Sequence, residues 1–221
     1  VKLVCISDTH GDHEKLDLPS GDVLIHAGDL TGHGSQEETR AFMHWFGKQA
    51  FAHKLCIAGN HDAFMEAAPA IVAGFAKECG VQLLNDSGCR IEGVNFWGSP
   101  ITPRFMHWSF MRDPGAAIES HWNLIPKDTD VLITHGPPLG IMDEVQRSDD
   151  EFESTGCPSL LRRVDELEPL LHIFGHIHEG HGRVDHSSTS FLNVSTMNKG
   201  YSIEHAPVCV ELKLNKSGEN V

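Results

Sequence analysis

The chain has 221 residues, 40% of them hydrophobic, with 17 basic against 31 acidic side chains and a net charge of −14. That suits one domain over residues 1–221 with a full core and argues against a disordered chain. The acidic balance repels phosphate backbones, so broad nucleic-acid binding is not expected, whereas a small phosphorylated substrate remains open.

No apolar run is long enough to span a bilayer, and the first residues read as a strand, not a leader, so a soluble, cytoplasmic protein without a membrane partner is expected. The first run, Leu3 to Ser7, is followed by Asp8-Thr9-His10. The second, Val23 to Ala27, is followed by Gly28-Asp29. A helix is expected next: Ser35 with Glu38 three residues later forms a capping box, and Phe42, Trp45 and Phe46 follow as a core stripe at helical spacing. The third run, Leu55 to Ala58, leads into Gly59-Asn60-His61-Asp62.

Strand-like pieces follow at Val81 to Leu84 and Val94 to Trp97, and then a Pro-rich stretch from Gly98 to Phe105. In that stretch Arg104 is a candidate substrate-binding residue, with Phe105 or Trp108 as a stacking surface. The fourth run, Val131 to Thr134, is followed by His135-Gly136. The polar, acidic segment Gln146 to Gly156 reads as an exposed loop. A helix is expected from about Pro158, burying Leu160, Val164 and Leu167 and stopping before Pro169. The fifth run, Leu170 to Phe174, is followed by Gly175-His176-Ile177-His178, and further strands are expected at Phe191 to Val194 and Val208 to Leu214.

Near-continuous Val, Ile and Leu in all five runs means burial on both faces, as in sheets covered by helices. Ligands in such folds bind at the carboxyl ends of strands, and here every principal strand delivers Asp, Asn or His there. Gly28, Gly59 and Gly175 each precede a candidate ligand, where a sharp turn without a Cβ is expected. Of the sixteen histidines, His26 and His172 fall inside apolar runs and read as core residues, while His44, His53, His107, His121, His186 and His205 show no ligand spacing. Six cysteines form no C-x-x-C pair; Cys5, Cys56 and Cys209 lie in apolar runs and read as free buried thiols. The ligand set is therefore Asp8, His10, Asp29, Asn60, His135, His176 and His178. Seven O and N donors are too many for one metal with an open position and suit two divalent ions sharing a carboxylate, with Mn, Fe or Zn foremost.

The five blocks resemble those of the calcineurin-like metallophosphoesterase superfamily. The sequences from Thr134 to Gly140, Phe174 to Gly180 and Trp122 to Pro126 resemble its metallophosphoesterase-domain-containing branch, related to class III cyclic-nucleotide phosphodiesterases. The resemblance implies an α/β fold in which a two-sheet β-sandwich is flanked by helices. It implies that Asp8, His10, Asp29 and His178 hold one ion and Asp29, Asn60, His135 and His176 the other. It makes His61 and Asp62 catalytic: His61 faces the substrate and Asp62 hydrogen-bonds and orients it. The implied reaction is hydrolysis of a phosphodiester, a cyclic nucleotide included, by a metal-bridging hydroxide. Protein phosphatases of the superfamily carry an Asp-Arg-Gly after the Gly-Asp block, its arginine gripping phosphate; here Gly28-Asp29 continues as Leu30-Thr31-Gly32-His33 with no arginine, which favours a diester over a monoester. A phosphomonoesterase or protein phosphatase, and a non-catalytic interaction protein on the same fold, are the alternative readings.

Overall fold

The computed structural model describes residues 1–213, so Leu214, the last residue of the final expected strand, lies outside the described residues. In the first sheet β1 (Lys2–Ile6), β2 (Val23–Ala27), β3 (His53–Ile57) and the short β4 (Gln82–Leu83) run parallel, and β15 (Val208–Glu211) closes the edge antiparallel to β1. The second sheet combines β5 (Ser87–Ile91), β6 (Val94–Ser99), β9 (Val131–Thr134), β12 (Leu171–Phe174), β13 (Gly182–His186) and β14 (Thr189–Asn193) in the order β13-β14-β12-β9-β6-β5. Its four inner strands are parallel, and both outer ones, β5 and β13, are antiparallel to their neighbours.

Side chains alternate across each strand, so the apolar runs feed two cores at once. Leu3, Cys5, Ile25 and Leu55 from the first sheet meet Phe96, Val131, Ile133 and Ile173 from the second in one buried layer. The opposite faces, with Val4, Leu24 and Cys56 or Leu132 and Phe174, join the core formed with the helices. Those helices are α1 (Gln36–Gly47), the short α2 (Ala63–Ala67), α3 (Pro69–Glu78), α4 (Ala116–Trp122) and α5 (Pro158–Leu167). The β-sandwich flanked by helices is the architecture expected from the five doubly buried runs.

Local signals hold at the helices. The Ser35 hydroxyl accepts from Glu38 N at 3.1 Å while the Glu38 carboxylate accepts from Ser35 N at 3.0 Å, the reciprocal box that ends a loop and starts α1. Phe42 and Phe46 are buried and Trp45 packs partly exposed beside them. α5 begins on Pro158, buries Leu160 and Val164, and ends where Glu168 adopts a left-handed conformation.

Two expectations are corrected. The segment Gln146 to Gly156 is not a plain loop: β10 (Glu144–Ser148) and β11 (Glu151–Ser154) form an exposed antiparallel hairpin standing off the two main sheets. Cys209 is exposed, because it lies on the outer face of edge strand β15, whereas Cys5 and Cys56 are buried as expected. Another small pair, β7 (Thr102–Pro103) and β8 (Met111–Arg112), frames the Arg104 loop. Among the described residues no helix is long and apolar enough to cross a membrane.

Candidate metal centre

Three neighbouring strands of the first sheet and two of the second end at one place. Asp8 and His10 follow β1, Asp29 follows β2, and Asn60, His61 and Asp62 follow β3; His135 follows β9, and His176 and His178 follow β12. The loops are tied to one another by backbone: Asp8 N donates to Gly28 O, His10 N to Asp29 O, and Gly175 N to His135 O, at 2.9–3.1 Å. His176 N reaches across to the Asp8 carboxylate at 3.0 Å, joining the sheets.

The local backbone is unusual. Asp8, His10, Asp29 and His176 all have positive φ, between 41° and 67°. Side chains other than glycine rarely adopt that region, and such strain persists where the surroundings over-determine it, as at functional sites. The expected role of the glycines is therefore revised. Gly28 does take a positive φ of 102°, but Gly59 and Gly175 do not. They are needed for clearance: a Cβ on Gly59 would stand 2.3 Å from Asp29 Oδ1, and one on Gly175 2.2 Å from Asp8 Oδ2.

Donor atoms of Asp8, His10 and His178, of His10, Asp29 and His61, and of Asp29, His135 and His176 form three groups, each with its atoms within 4.8 Å of one another. Asp29 belongs to two of them. Its Oδ2 is 3.6 Å from His10 Nε2 and its Oδ1 is 3.3 Å from His135 Nε2. Asp8 Oδ1 is 3.8 Å from His178 Nε2. Asn60 Oδ1 lies 2.9 Å from His135 Nε2.

Hydrogen bonding on the far side of each ring sets its tautomer. His135 Nδ1 donates to Ala27 O at 3.0 Å, His178 Nδ1 to Asn198 O at 3.0 Å, and His61 Nδ1 to Gly32 O at 3.1 Å, which turns all three Nε2 atoms inward. His135 Nε2 then faces two oxygens, Asn60 Oδ1 and Asp29 Oδ1, an arrangement that a second proton or a cation satisfies. Among the described residues, both ring nitrogens of His10 are buried with no hydrogen-bond partner. Leaving them so would cost about 1–3 kcal/mol each. Orphaned imidazole nitrogens beside two buried carboxylates fit divalent cations.

Burial alone would raise the Asp8 and Asp29 carboxyls. The His178 hydrogen bond and the charges of His135 and His178 override it at Asp8, and the His135 charge and hydrogen bond override it at Asp29, so both stay well below the usual carboxylate range. Burial pushes His10 down and, with the His135 charge, takes His176 down to about 4, keeping both rings neutral with lone pairs available.

Asp62 does not make its expected contact. Its buried carboxylate accepts from Gly59 N at 2.7 Å, Leu30 N at 3.2 Å, Thr31 N at 3.0 Å and the Thr31 hydroxyl at 2.7 Å. It clamps the loops after β2 and β3 together, and His61 is oriented by the Gly32 carbonyl instead. Trp108 stacks on the His61 ring with centroids 4.4 Å apart. Arg104 stands on the rim of a neighbouring cavity and pairs with Asp113.

Tyr201 was not apparent from the sequence. Its ring sits edge-on to His10 at 4.9 Å and to His178 at 5.0 Å, presented by a turn in which Asn198 O accepts both Tyr201 N and His178 Nδ1. The signal for it was faint: it is the chain's single tyrosine, in a short Asn-Lys-Gly-Tyr turn.

A family model described as calcineurin-like phosphoesterase matches residues 1–180. Metallophosphoesterase domain-containing protein 1 of Homo sapiens is 36% identical over 235 residues, covering 96% of this chain and 71% of that protein. A UPF0046 protein of Caenorhabditis elegans is 38% identical over 220 residues, covering 94% of this chain and 74% of that one. Among solved structures, phosphopantetheinyl hydrolase from Mycobacterium tuberculosis aligns with a TM-score of 0.62 at 17% identity over 90% of each chain, a likeness of fold.

Proposed function

The chain belongs to the calcineurin-like phosphoesterase family, and from that premise we propose that it is a phosphodiesterase acting on a small substrate, with cyclic nucleotides among the candidates. In this reading Asp8, His10, Asp29 and His178 hold one divalent cation and Asp29, Asn60, His135 and His176 the other, Mn, Fe or Zn, with Asp29 shared. When bound, such cations supply Lewis acidity to the phosphoryl oxygens and lower the pKa of water.

The protein's own groups do the rest. The strained loops hold seven donors in place before a substrate arrives, so little reorganisation is needed at the moment of reaction. His61, fixed by Gly32 O and the Trp108 face, presents Nε2 towards the substrate side. As imidazolium it donates a proton to the leaving oxygen or stabilises charge building there. Asp62 acts as a positioning residue through the backbone of Gly59, Leu30 and Thr31. Arg104 binds the substrate away from phosphorus.

The observation that carries the diester reading is the stretch Leu30-Thr31-Gly32-His33 that follows Asp29. It holds no arginine to grip a dianion, and Leu30 is buried in the core. A monoester brings nearly two negative charges near neutral pH, since its second pKa lies near 6. A diester brings one, which needs no added clamp. The test compares kcat/KM for an aryl diester and the matching aryl monoester with Mn²⁺ present. Diester preference is expected; a clear monoester preference overturns the reading.

A further inference from the structure

We propose that the cavity beside the metal centre is a subsite for a second acidic group, carboxylate or phosphate, on the part of the substrate that is not cleaved. The inference rests on the diesterase reading and adds the chemical class of the substituent. The cavity measures about 570 Å³, within the ~300–1,000 Å³ common for small-molecule sites. His176 and His178 line both the cavity and the centre, so an ester held at the donors extends directly into it. The far wall is the β10–β11 hairpin. The Trp108 ring stacked on His61 is not part of the cavity's lining.

Cations gather on this wall. In a protein of net charge −14, Arg104, Arg147 and Lys199 converge here, each beside a carboxylate: Asp113, Glu153 and Glu179, the last 3.9 Å from Lys199 Nζ. The two arginines are held alike. Nε of Arg104 donates to Asp113, and Nε of Arg147 donates to Glu153 at 2.6 Å. Among the described residues, neither guanidinium uses its terminal amino groups in a hydrogen bond. Each carboxylate orients an arginine by its stem side and leaves the fork that matches a carboxylate or phosphate. Arg147 also lies over the Phe105 ring, 6.0 Å from its centroid. Lys199 Nζ donates to Gln146 O at 3.1 Å and ties the hairpin to the turn bearing Tyr201. An ordinary solvated arginine needs none of these supports. Two of them, facing one cavity that opens on the catalytic donors, form a built anion clamp.

The test is calorimetric binding of three non-hydrolysable probes to Mn²⁺-loaded protein: benzyl(methyl)phosphinic acid and its 4-carboxybenzyl and 4-phosphonobenzyl analogues, in which both substituents are joined to phosphorus through carbon. At least one acidic probe should bind about 10-fold or more tighter than the unsubstituted benzyl probe, the scale of one charge-assisted contact, and the better of the two identifies the group. Arg104→Ala and Arg147→Ala should each shrink that ratio. Arg162→Ala, the same charge change on remote α5, should preserve it. Equal affinity for the three probes, or a ratio indifferent to both Arg104 and Arg147, overturns the subsite. The diesterase reading fails separately, through a monoester preference that leaves the binding ratio intact. A monoester preference abolished by Arg147→Ala would place that guanidinium on the scissile phosphate and overturn both.

Discussion

Buried histidines occur in two regions of this molecule, and they behave oppositely. His26 and His172 lie in mid-strand under the helices, one in each sheet, against Phe42 and Phe46 or Phe174 and Phe191. Among the described residues each has one hydrogen-bond partner, a threonine hydroxyl: Thr9, in the loop after β1, at 2.9 Å from His26 and Thr134, on adjacent strand β9, at 2.8 Å from His172. Burial takes both down to about 3, so both are neutral packing groups. His10, His135, His176 and His178 stand at the strand ends, where their inward nitrogens converge on Asp8 and Asp29. Burial is common to both sets. What separates them is whether lone pairs converge on a carboxylate and whether the backbone is strained to make them do so.

The comparison breaks most severely if the strand-end set is not a metal centre. Chelation and dialysis should abolish turnover, and Mn²⁺ should restore it; full activity of stripped protein would end the two-metal reading. Asp29→Asn should be the worst single change in the set. An amide bridges two cations poorly, and its NH2 would face His10 or His135. Turnover should fall by more than the roughly 10²–10³-fold lost with one electrostatic donor, and metal per chain should drop towards one or none. Two tightly held metals in that variant would show that Asp29 is not shared.

His61 sharpens the boundary, because its inward nitrogen lies near His10 and Asp29 yet it is assigned to the substrate. His61→Ala should retain both metals and lose roughly 10²–10⁴-fold in kcat, the range for a positioned proton donor. The loss should be largest for esters with poor leaving groups. Elemental analysis showing one metal fewer would make His61 a ligand.

Much of this was legible in the sequence for a physical reason. Doubly buried parallel strands must be nearly continuous apolar runs, so their ends, and the Asp, Asn and His placed there, can be read directly. The two core histidines were legible too, since each interrupts such a run. The β10–β11 hairpin was not: every residue of β11 is exposed and the turn is Asp149-Asp150, so neither alternation nor a glycine turn marked it. Asp62 was misassigned because adjacency to His61 in sequence says nothing about direction; its carboxylate points back to three amides that lack other acceptors. Tyr201 reaches the centre through a bridge between Ser7 and Ser195, a pairing 188 residues apart that no local pattern encodes.

The smallest effect separates the regions most cleanly, because it concerns stability and leaves the chemistry alone. Thr134 has one hydroxyl proton, and it goes to Gly136 O at 2.7 Å. The hydroxyl must therefore accept from His172, which places that ring's proton on Nε2 and leaves Nδ1 bare and buried, without a partner among the described residues. A second proton would have no acceptor, consistent with a pKa lowered to about 3 by burial. The unfolded chain takes up that proton near pH 6.5, and the folded one does so only near 3. Stability from this residue is thus intact above about pH 6.5 and is lost as pH falls below it, by up to ~1.4 kcal/mol per pH unit. His172→Phe removes the titrating group and keeps an aromatic ring among Phe174 and Phe191. Between pH 7.5 and pH 5.5, urea unfolding of metal-stripped protein should show the variant losing about 1.4 kcal/mol less stability than the wild type. An identical pH slope in the two proteins would mean that His172 is protonated in the fold, and the contrast between packing and ligand histidines would fail at that residue.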